Sequence, residues 1–249
     1  MLFHTYGKKE NKAVILIHGM LTPWQIWNTA VKTFKKDYYV VVPELDAHTE
    51  ISPTVFHSIE EEAAKIHDYV LEELGGKVFL LAGLSMGGRI AATITKSEDI
   101  SIENLVLDGA PLAKMNVLMR AIMKVSYKSI ILKSKKHEAK TLERAKKNFL
   151  PEDMLPYYIK IAENMIMVSV NNMIDSVFSK FDFSNFGGDT NILFMHGTKG
   201  NEMVSRKCAL KMKKANPQTE IKCYDGFAHA ELACFKPEQW VQEVGDFIK

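Results

Sequence analysis

The five residues Gly83-Leu84-Ser85-Met86-Gly87 set one hydroxyl between two glycines. An apolar run, "KVFLLAG" (77–83), leads into them, and "GGRIAATITK" (87–96) follows with the pattern of a helix. A strand that turns abruptly into a helix brings its two backbones together. Side chains two residues either side of the serine would collide there, which accounts for glycine at both places. Such a turn exposes the Ser85 hydroxyl at a helix N-terminus, where the dipole favours developing negative charge. The chemistry this suits is nucleophilic acyl transfer. A serine hydroxyl attacks poorly unless a base takes its proton, so an imidazole is needed from elsewhere in the chain, and a carboxylate to orient it. Taken alone the pattern is weak, and its plain alternative is a tight turn that happens to contain a serine.

The elements that would position these groups alternate along the chain. "AVILIHG" (13–19), "YYVVVPEL" (38–45), "KVFLLAG" (77–83), "NLVLDGAP" (104–111), "NILFMHG" (191–197) and "EIKCYDG" (220–226) read as strands. They are rich in Val, Ile, Leu and aromatics, and most stop at Gly or Pro. "TVFHSIEEEAAKIHDYVLEEL" (54–74) and "PEQWVQEVGDFI" (237–248) read as helices. Several strands lack polar alternation, as strands buried on both faces of a parallel sheet do. The fold expected is α/β, with a mostly parallel central sheet covered by helices. Between Pro111 and Asn191 no convincing strand occurs, too long an interval for a plain crossover. Helical spacing at Leu118, Ile122 and Val125, and again at Tyr158, Ile161, Met165 and Val168, predicts several helices, broken at Pro151 and Pro156.

Bulk properties narrow the classes. At 249 residues, 47% hydrophobic and 25% charged, the chain can bury a large core without disulfides or metals. A net charge of +2 makes no case for nucleic acid. No run approaches the roughly 20 apolar residues of a membrane helix, so no stable membrane insertion is expected. Cys208, Cys223 and Cys234 are odd in number and lack Cys-x-x-Cys spacing, which fits a reducing compartment. The N-terminal "MLFHTYGKKENKAV" has no signal-peptide pattern, and a cytoplasmic location is expected. No metal is expected, since no His-Glu-x-x-His, paired-cysteine or clustered-carboxylate spacing occurs, and no cofactor either. "GLSMGGR" lacks the Lys-Ser/Thr pair of a phosphate-binding loop.

With "ILIHGM" (15–20), "GLSMGG" (83–88), "FMHGTKGNEMV" (194–204) and "GFAHAEL" (226–232) in this order, the chain resembles the α/β-hydrolase superfamily of esterases, lipases and carbon–carbon hydrolases. The resemblance spans nearly the whole chain. It implies a core of residues 1–111 and 186–249 with an inserted helical lid over 112–185, and a short N-terminal part that omits strands of larger members. It also implies roles. His18-Gly19 resembles the turn after the first central strand, so the Met20 amide would be one oxyanion donor and the Met86 amide the other. His18 itself is expected to be structural, bridging loops. Among eight histidines, His229 matches the family's late histidine and would be the base. The acid departs from the family pattern: Gly200 stands where an Asp often falls, and Glu202 lies two residues on. Glu202 is preferred and Asp108, at the end of an earlier strand, is the alternative. Asp225 is read as turn chemistry before Gly226, and Asp46 and His48 as a solvated loop near the rim.

The function implied is hydrolysis of a small ester-like substrate through Ser85, His229 and a carboxylate. A carbon–carbon hydrolase, lactonase or thioesterase would use the same residues, and a non-catalytic ligand-binding member is the rival outside the enzymes. Residues 112 to 147 hold eleven Lys or Arg against only Glu138 and Glu143, interleaved with Met, Ile, Leu and Val. The preferred reading is a lid with its apolar side packed inward, its Met and Ile lining an acyl pocket, and lysines in water. A basic face attracting an anionic substrate or lipid surface is the alternative.

Overall fold

The structure is a computed structural model, and it describes residues 1–249 apart from 149, 185, 187, 188 and 201. The chain order is β1 (Leu2–Tyr6), β2 (Ala13–Ile17), α1 (Asn28–Phe34), β3 (Tyr39–Glu44), α2 (Ile59–Leu74), β4 (Lys77–Leu84), α3 (Met86–Ile94) and β5 (Ser101–Asp108). There follow α4 (Val117–Lys135), α5 (Ala139–Asn148), α6 (Leu155–Asn164) and α7 (Met167–Val177). The chain then returns through β6 (Asn191–Gly197), α8 (Glu202–Ala215), β7 (Glu220–Tyr224), α9 (Glu231–Phe235) and α10 (Pro237–Phe247).

Among the described residues the strands form one seven-stranded sheet ordered β1-β3-β2-β4-β5-β6-β7. Every residue of "AVILI" in β2 and of "YVVVPE" in β3 is buried, because helices cover both faces. All pairings are parallel except β1 with β3, where Leu2 faces Glu44 and Tyr6 faces Val40. This antiparallel edge strand was absent from the sequence expectation. "LFHTY" is short and half-exposed, and it becomes a strand by pairing with the edge that β3 would otherwise leave open.

From β2 the chain steps outward to β3, then crosses back to place β4 on the other side of β2. That reversal opens a crevice at the carboxyl ends of β2 and β4, the usual ligand position in an open α/β sheet. The turns after these two strands hold Met20 and Ser85.

Helix α2 starts at Ile59 rather than at 54, because Ser58 caps it by accepting the Glu61 amide at 3.0 Å. Gly75, at φ 61°, closes its other end. Between β5 and β6 the described residues form helices and turns with no strand, as expected. The insertion is tied down at its base: Ser169 Oγ accepts the Phe56 amide at 3.1 Å, and Ser176 Oγ accepts that of Ile59 at 2.7 Å. The boundary expected between residues 185 and 186 falls at residue 185, outside the described residues.

Candidate active site

Ser85 is the single residue between β4 and α3, held at φ 53° and ψ −113°. A non-glycine residue with positive φ is strained and persists only where its surroundings fix it. Here they do so from both sides. A Cβ on Gly83 would lie 2.3 Å from the Gly87 carbonyl, and one on Gly87 would lie 2.3 Å from the Ile17 oxygen. The Ser85 amide also donates to the Asp108 carbonyl at 2.7 Å, pinning the turn to β5.

His229 sits on the loop between β7 and α9, 144 residues away in sequence, with Nε2 2.8 Å from Ser85 Oγ. Its Nδ1 lies 2.5 Å from Glu202 Oε1. The tautomer that satisfies both partners donates from Nδ1 to Glu202 and accepts the Ser85 hydroxyl at Nε2.

Glu202 is the first residue of α8, not a loop residue, and its side chain turns inward to near-complete burial. Its second oxygen accepts the Gly197 amide at 2.8 Å, and Ser205 Oγ donates to Oε1 at 3.3 Å. Burial pushes this carboxyl up, but the His229 ring and the Gly197 and Ser205 donors outweigh it and hold it below its ordinary value.

Asp108, the alternative acid, is buried beside this chain without a hydrogen bond to His229. Its Oδ2 accepts the Trp240 indole N–H at 3.1 Å. Burial, reinforced by the Glu202 charge, raises its carboxyl to about 7. The structure therefore brings Glu202 to the imidazole and leaves Asp108 as a neighbour.

Met86 opens α3 directly after Ser85, so its amide lies at that helix N-terminus. Met20 follows Gly19, whose backbone packs against Ser85: a Cβ built there would meet the Ser85 Cβ at 3.4 Å. His18 bridges as expected, with Nδ1 2.9 Å from the Gly19 carbonyl and Nε2 accepting the Leu45 amide at 3.2 Å. Asp225 accepts from the Thr198 hydroxyl at 3.1 Å, in the turn before Gly226.

The loop holding Asp46 and His48 differs from expectation: both are buried, not solvated. His48 Nε2 accepts the Leu21 amide at 2.9 Å, and its Nδ1 lies 3.1 Å from the Asp46 carbonyl. Leu21 has φ 61°, so His48 braces a strained turn that begins at Gly19. Burial lowers the His48 imidazole to about 4 and that of His18 to about 3, so both are neutral acceptors. A histidine two residues beyond an aspartate carries no sequence signal for such a brace.

A cleft of about 260 Å³ opens at Ser85 and His229, walled by Gly19, Met20, Leu84 and Tyr127. Tyr127 and Asn148 also line a second cavity of about 540 Å³, with Leu21, Ile130, Ala145 and Tyr158. The expected methionine roof is absent from both linings. Ile130 of α4 does line the larger cavity, joined there by Val125 and Tyr127, while Met119 is exposed. Helix α4 meets α6 and α7 through its other face, which turns its N-terminal apolar residues outward. Among the described residues no three His, Cys, Asp or Glu side chains gather as metal ligands. The arrangement joins a hydroxyl, an imidazole and a carboxylate by hydrogen bonds at the mouth of a cleft, groups that could carry out acyl transfer.

Residues 12–222 match a family described as alpha/beta hydrolase fold. Two curated relatives, the monoacylglycerol lipases abhd6-A and abhd6-B of Xenopus laevis, are 32% identical over 106 residues. That match covers 41% of this chain and only 31% of each relative. Among solved structures, an alpha/beta hydrolase family protein from Desulfitobacterium hafniense aligns over 100% of both chains with TM-score 0.79 and 20% identity. A carboxylesterase structure from the thaumarchaeon Nitrososphaera gargenis aligns over 99% of this chain and 93% of its own, with TM-score 0.75 and 12% identity. At these identities the structural likenesses are likenesses of fold.

Proposed function

The chain belongs to the alpha/beta hydrolase fold family, and from that premise we propose that it is a serine hydrolase of carboxylic esters. The observation that carries the reading is the hydrogen-bonded chain Ser85–His229–Glu202, at 2.8 and 2.5 Å, opening on a cleft. In the proposed mechanism Ser85 Oγ attacks the ester carbonyl carbon while its proton passes to His229 Nε2. The carbonyl oxygen becomes an oxyanion received by the Met20 and Met86 amides, and losing one such donor typically costs about a hundredfold or more in rate. The intermediate collapses, the carbon–oxygen bond to the alcohol breaks, and the His229 proton leaves with that alcohol. Water then attacks the acyl-enzyme, giving its proton to His229, and the acid is released. Glu202 stays ionised throughout, orienting the ring and stabilising the imidazolium.

Residues 112–185 would serve as a helical lid on a core of 1–111 and 186–249. Support comes from the side chains of α4 and α5 that wall the cavities beside Ser85. The larger cavity, mostly apolar, suits an extended acyl or alcohol chain. The test is labelling with a fluorophosphonate followed by peptide mapping. Stoichiometric modification of Ser85, lost in Ser85→Ala, is expected together with turnover of p-nitrophenyl esters. A folded wild type that takes no label overturns the reading.

A further inference from the structure

Helix α4 leaves its most apolar stripe in solvent. Val117, Leu118 and Val125 are 73, 72 and 71% exposed, and Ile122 and Leu132 are 54 and 48% exposed. At the α-helical repeat, Leu118, Ile122, Val125 and Leu132 fall within about 80° of arc. They lie opposite Tyr127, Ile131 and Ser134, which face the protein. A contiguous exposed apolar patch on a folded surface marks something that covers it.

The charges around the stripe say what that is. Helix α4 carries Arg120, Lys124, Lys128, Lys133 and Lys135 and no carboxylate. Arg120 and Lys124 turn inward to Asp175 on α7, at 3.1 and 2.5 Å. Lys133 has only Glu138, at 4.0 Å, while Lys114, Lys128 and Lys135 lie within 4 Å of no carboxylate among the described residues. Lys128 and Lys133 project on the two flanks of the stripe, where long side chains lay their methylenes along apolar surface and lift their charges to its edge.

An apolar stripe flanked by lysines fits an anionic lipid surface, with the helix lying in the headgroup plane. A protein partner with the matching face would need an acidic rim around an apolar centre, for which nothing in the fold argues. No described helix is long and apolar enough to cross a membrane, so the contact is peripheral. The stripe also runs directly into the cavity wall: Val125, Ser126, Ser129 and Lys133 of the same helix line the 540 Å³ cavity, which shares Tyr127 and Asn148 with the cleft at Ser85. We propose that α4 docks the protein on anionic bilayers, setting the rim of this cavity against the lipid.

Binding is measured by co-sedimentation with extruded phosphatidylcholine vesicles containing about a third phosphatidylglycerol. Wild type and Ser85→Ala are both used, so that the result is independent of the catalytic reading. Both are expected to sediment with anionic vesicles, weakly with phosphatidylcholine alone, and progressively less as salt rises. Leu118→Asp/Ile122→Asp and, separately, Lys128→Glu/Lys135→Glu are each expected to lower the partition at least about tenfold. These four side chains line neither cavity, so fluorophosphonate labelling of Ser85 in the variants should match wild type and report an intact fold. Failure of the wild type to bind anionic vesicles overturns the proposal. So does a concentration-dependent dimer that Leu118→Asp/Ile122→Asp dissociates, which would show a second copy covering the stripe.

Discussion

Glu202 reaches the His229 ring with one carboxylate oxygen, at 2.5 Å, and ties the other to the Gly197 amide. The carboxylate is thus fixed at both ends, and the imidazole can hold only the tautomer that leaves Nε2 free to accept the serine proton. Glu202→Gln keeps the shape but presents an amide whose N–H can face Nδ1, which favours the wrong tautomer. In a serine protease triad the equivalent change costs about 10⁴-fold in kcat. A loss of that order in ester turnover and labelling rate is expected here, measured at saturating substrate. Asp108→Asn, by contrast, should stay within about tenfold of wild type, because Asp108 bonds Trp240 and not His229. Equal losses in the two variants would move the acid role away from Glu202.

Asp108 has a separate signature in stability. Its buried carboxyl is raised to about 7, first by desolvation and then by the Glu202 charge, with His229 and Trp240 opposing. The folded chain therefore binds this proton more tightly than the unfolded chain, whose carboxyl titrates near 3.9. Stability from this group is fully present below that unfolded value and is lost as pH rises towards about 7. An asparagine keeps an acceptor for the Trp240 N–H and does not ionise. The Tm of Asp108→Asn minus that of wild type should then grow by several degrees between pH 5 and pH 8, read by thermal melts across that range. A constant difference would mean that Asp108 ionises as readily in the fold as outside it.

The brace at His48 predicts both a fold defect and a rate defect. His48→Phe leaves the Leu21 amide buried without its acceptor, at about 1–3 kcal/mol of stability. It also frees the turn that carries Met20, so kcat should fall about tenfold or more with little change in KM, the mark of an interaction made in the transition state. His48→Gln retains an acceptor oxygen and should recover part of both. Acid should act in the same direction. The folded imidazole is lowered to about 4, so the unfolded chain binds its proton first, and stability falls as pH drops from about 6.5 towards 4. His48→Gln should narrow that acid-side loss relative to wild type in chemical denaturation series.

What the sequence discloses follows from how local each signal is. Ser85 is legible because both glycines stand within two residues of it in the sequence, although only Gly83 is forced by that local turn, and Gly87 answers to the Ile17 backbone of β2. His229 and Glu202 are named through the family resemblance, which leaves Glu202 and Asp108 open as the acid, and the structure places Glu202 on the His229 ring and Asp108 on Trp240. β1 is not legible, since "LFHTY" gains its strand character from the free edge of β3, a partner more than thirty residues away. The burial of His48 is hidden for a related reason: its ring is satisfied by the Leu21 amide of another loop and the Asp46 carbonyl of its own, so burial costs it little, and no periodicity reports that. The α4 stripe misled differently. Apolar spacing states which residues share a face but not whether that face points in or out, and here Asp175 draws the opposite side of the helix to α7.

Chain length selectivity should reside in the larger cavity. Ala145 on α5 lines it and does not line the cleft that holds Ser85, whereas Tyr127 and Asn148 line both. Ala145→Phe introduces a ring into a space of about 540 Å³ without touching the nucleophile or its partners. An ester short enough to remain in the smaller cleft should be hydrolysed at nearly the wild-type kcat/KM. A longer acyl chain would lose the volume it needs, and each displaced methylene is worth about 1–3 kcal/mol in a hydrophobic pocket. The ratio of octanoate to acetate kcat/KM for p-nitrophenyl esters should therefore drop at least about tenfold. If both esters slow equally, the ring has disturbed α5 as a whole; if neither slows, the chain of the substrate leaves Ser85 by another path.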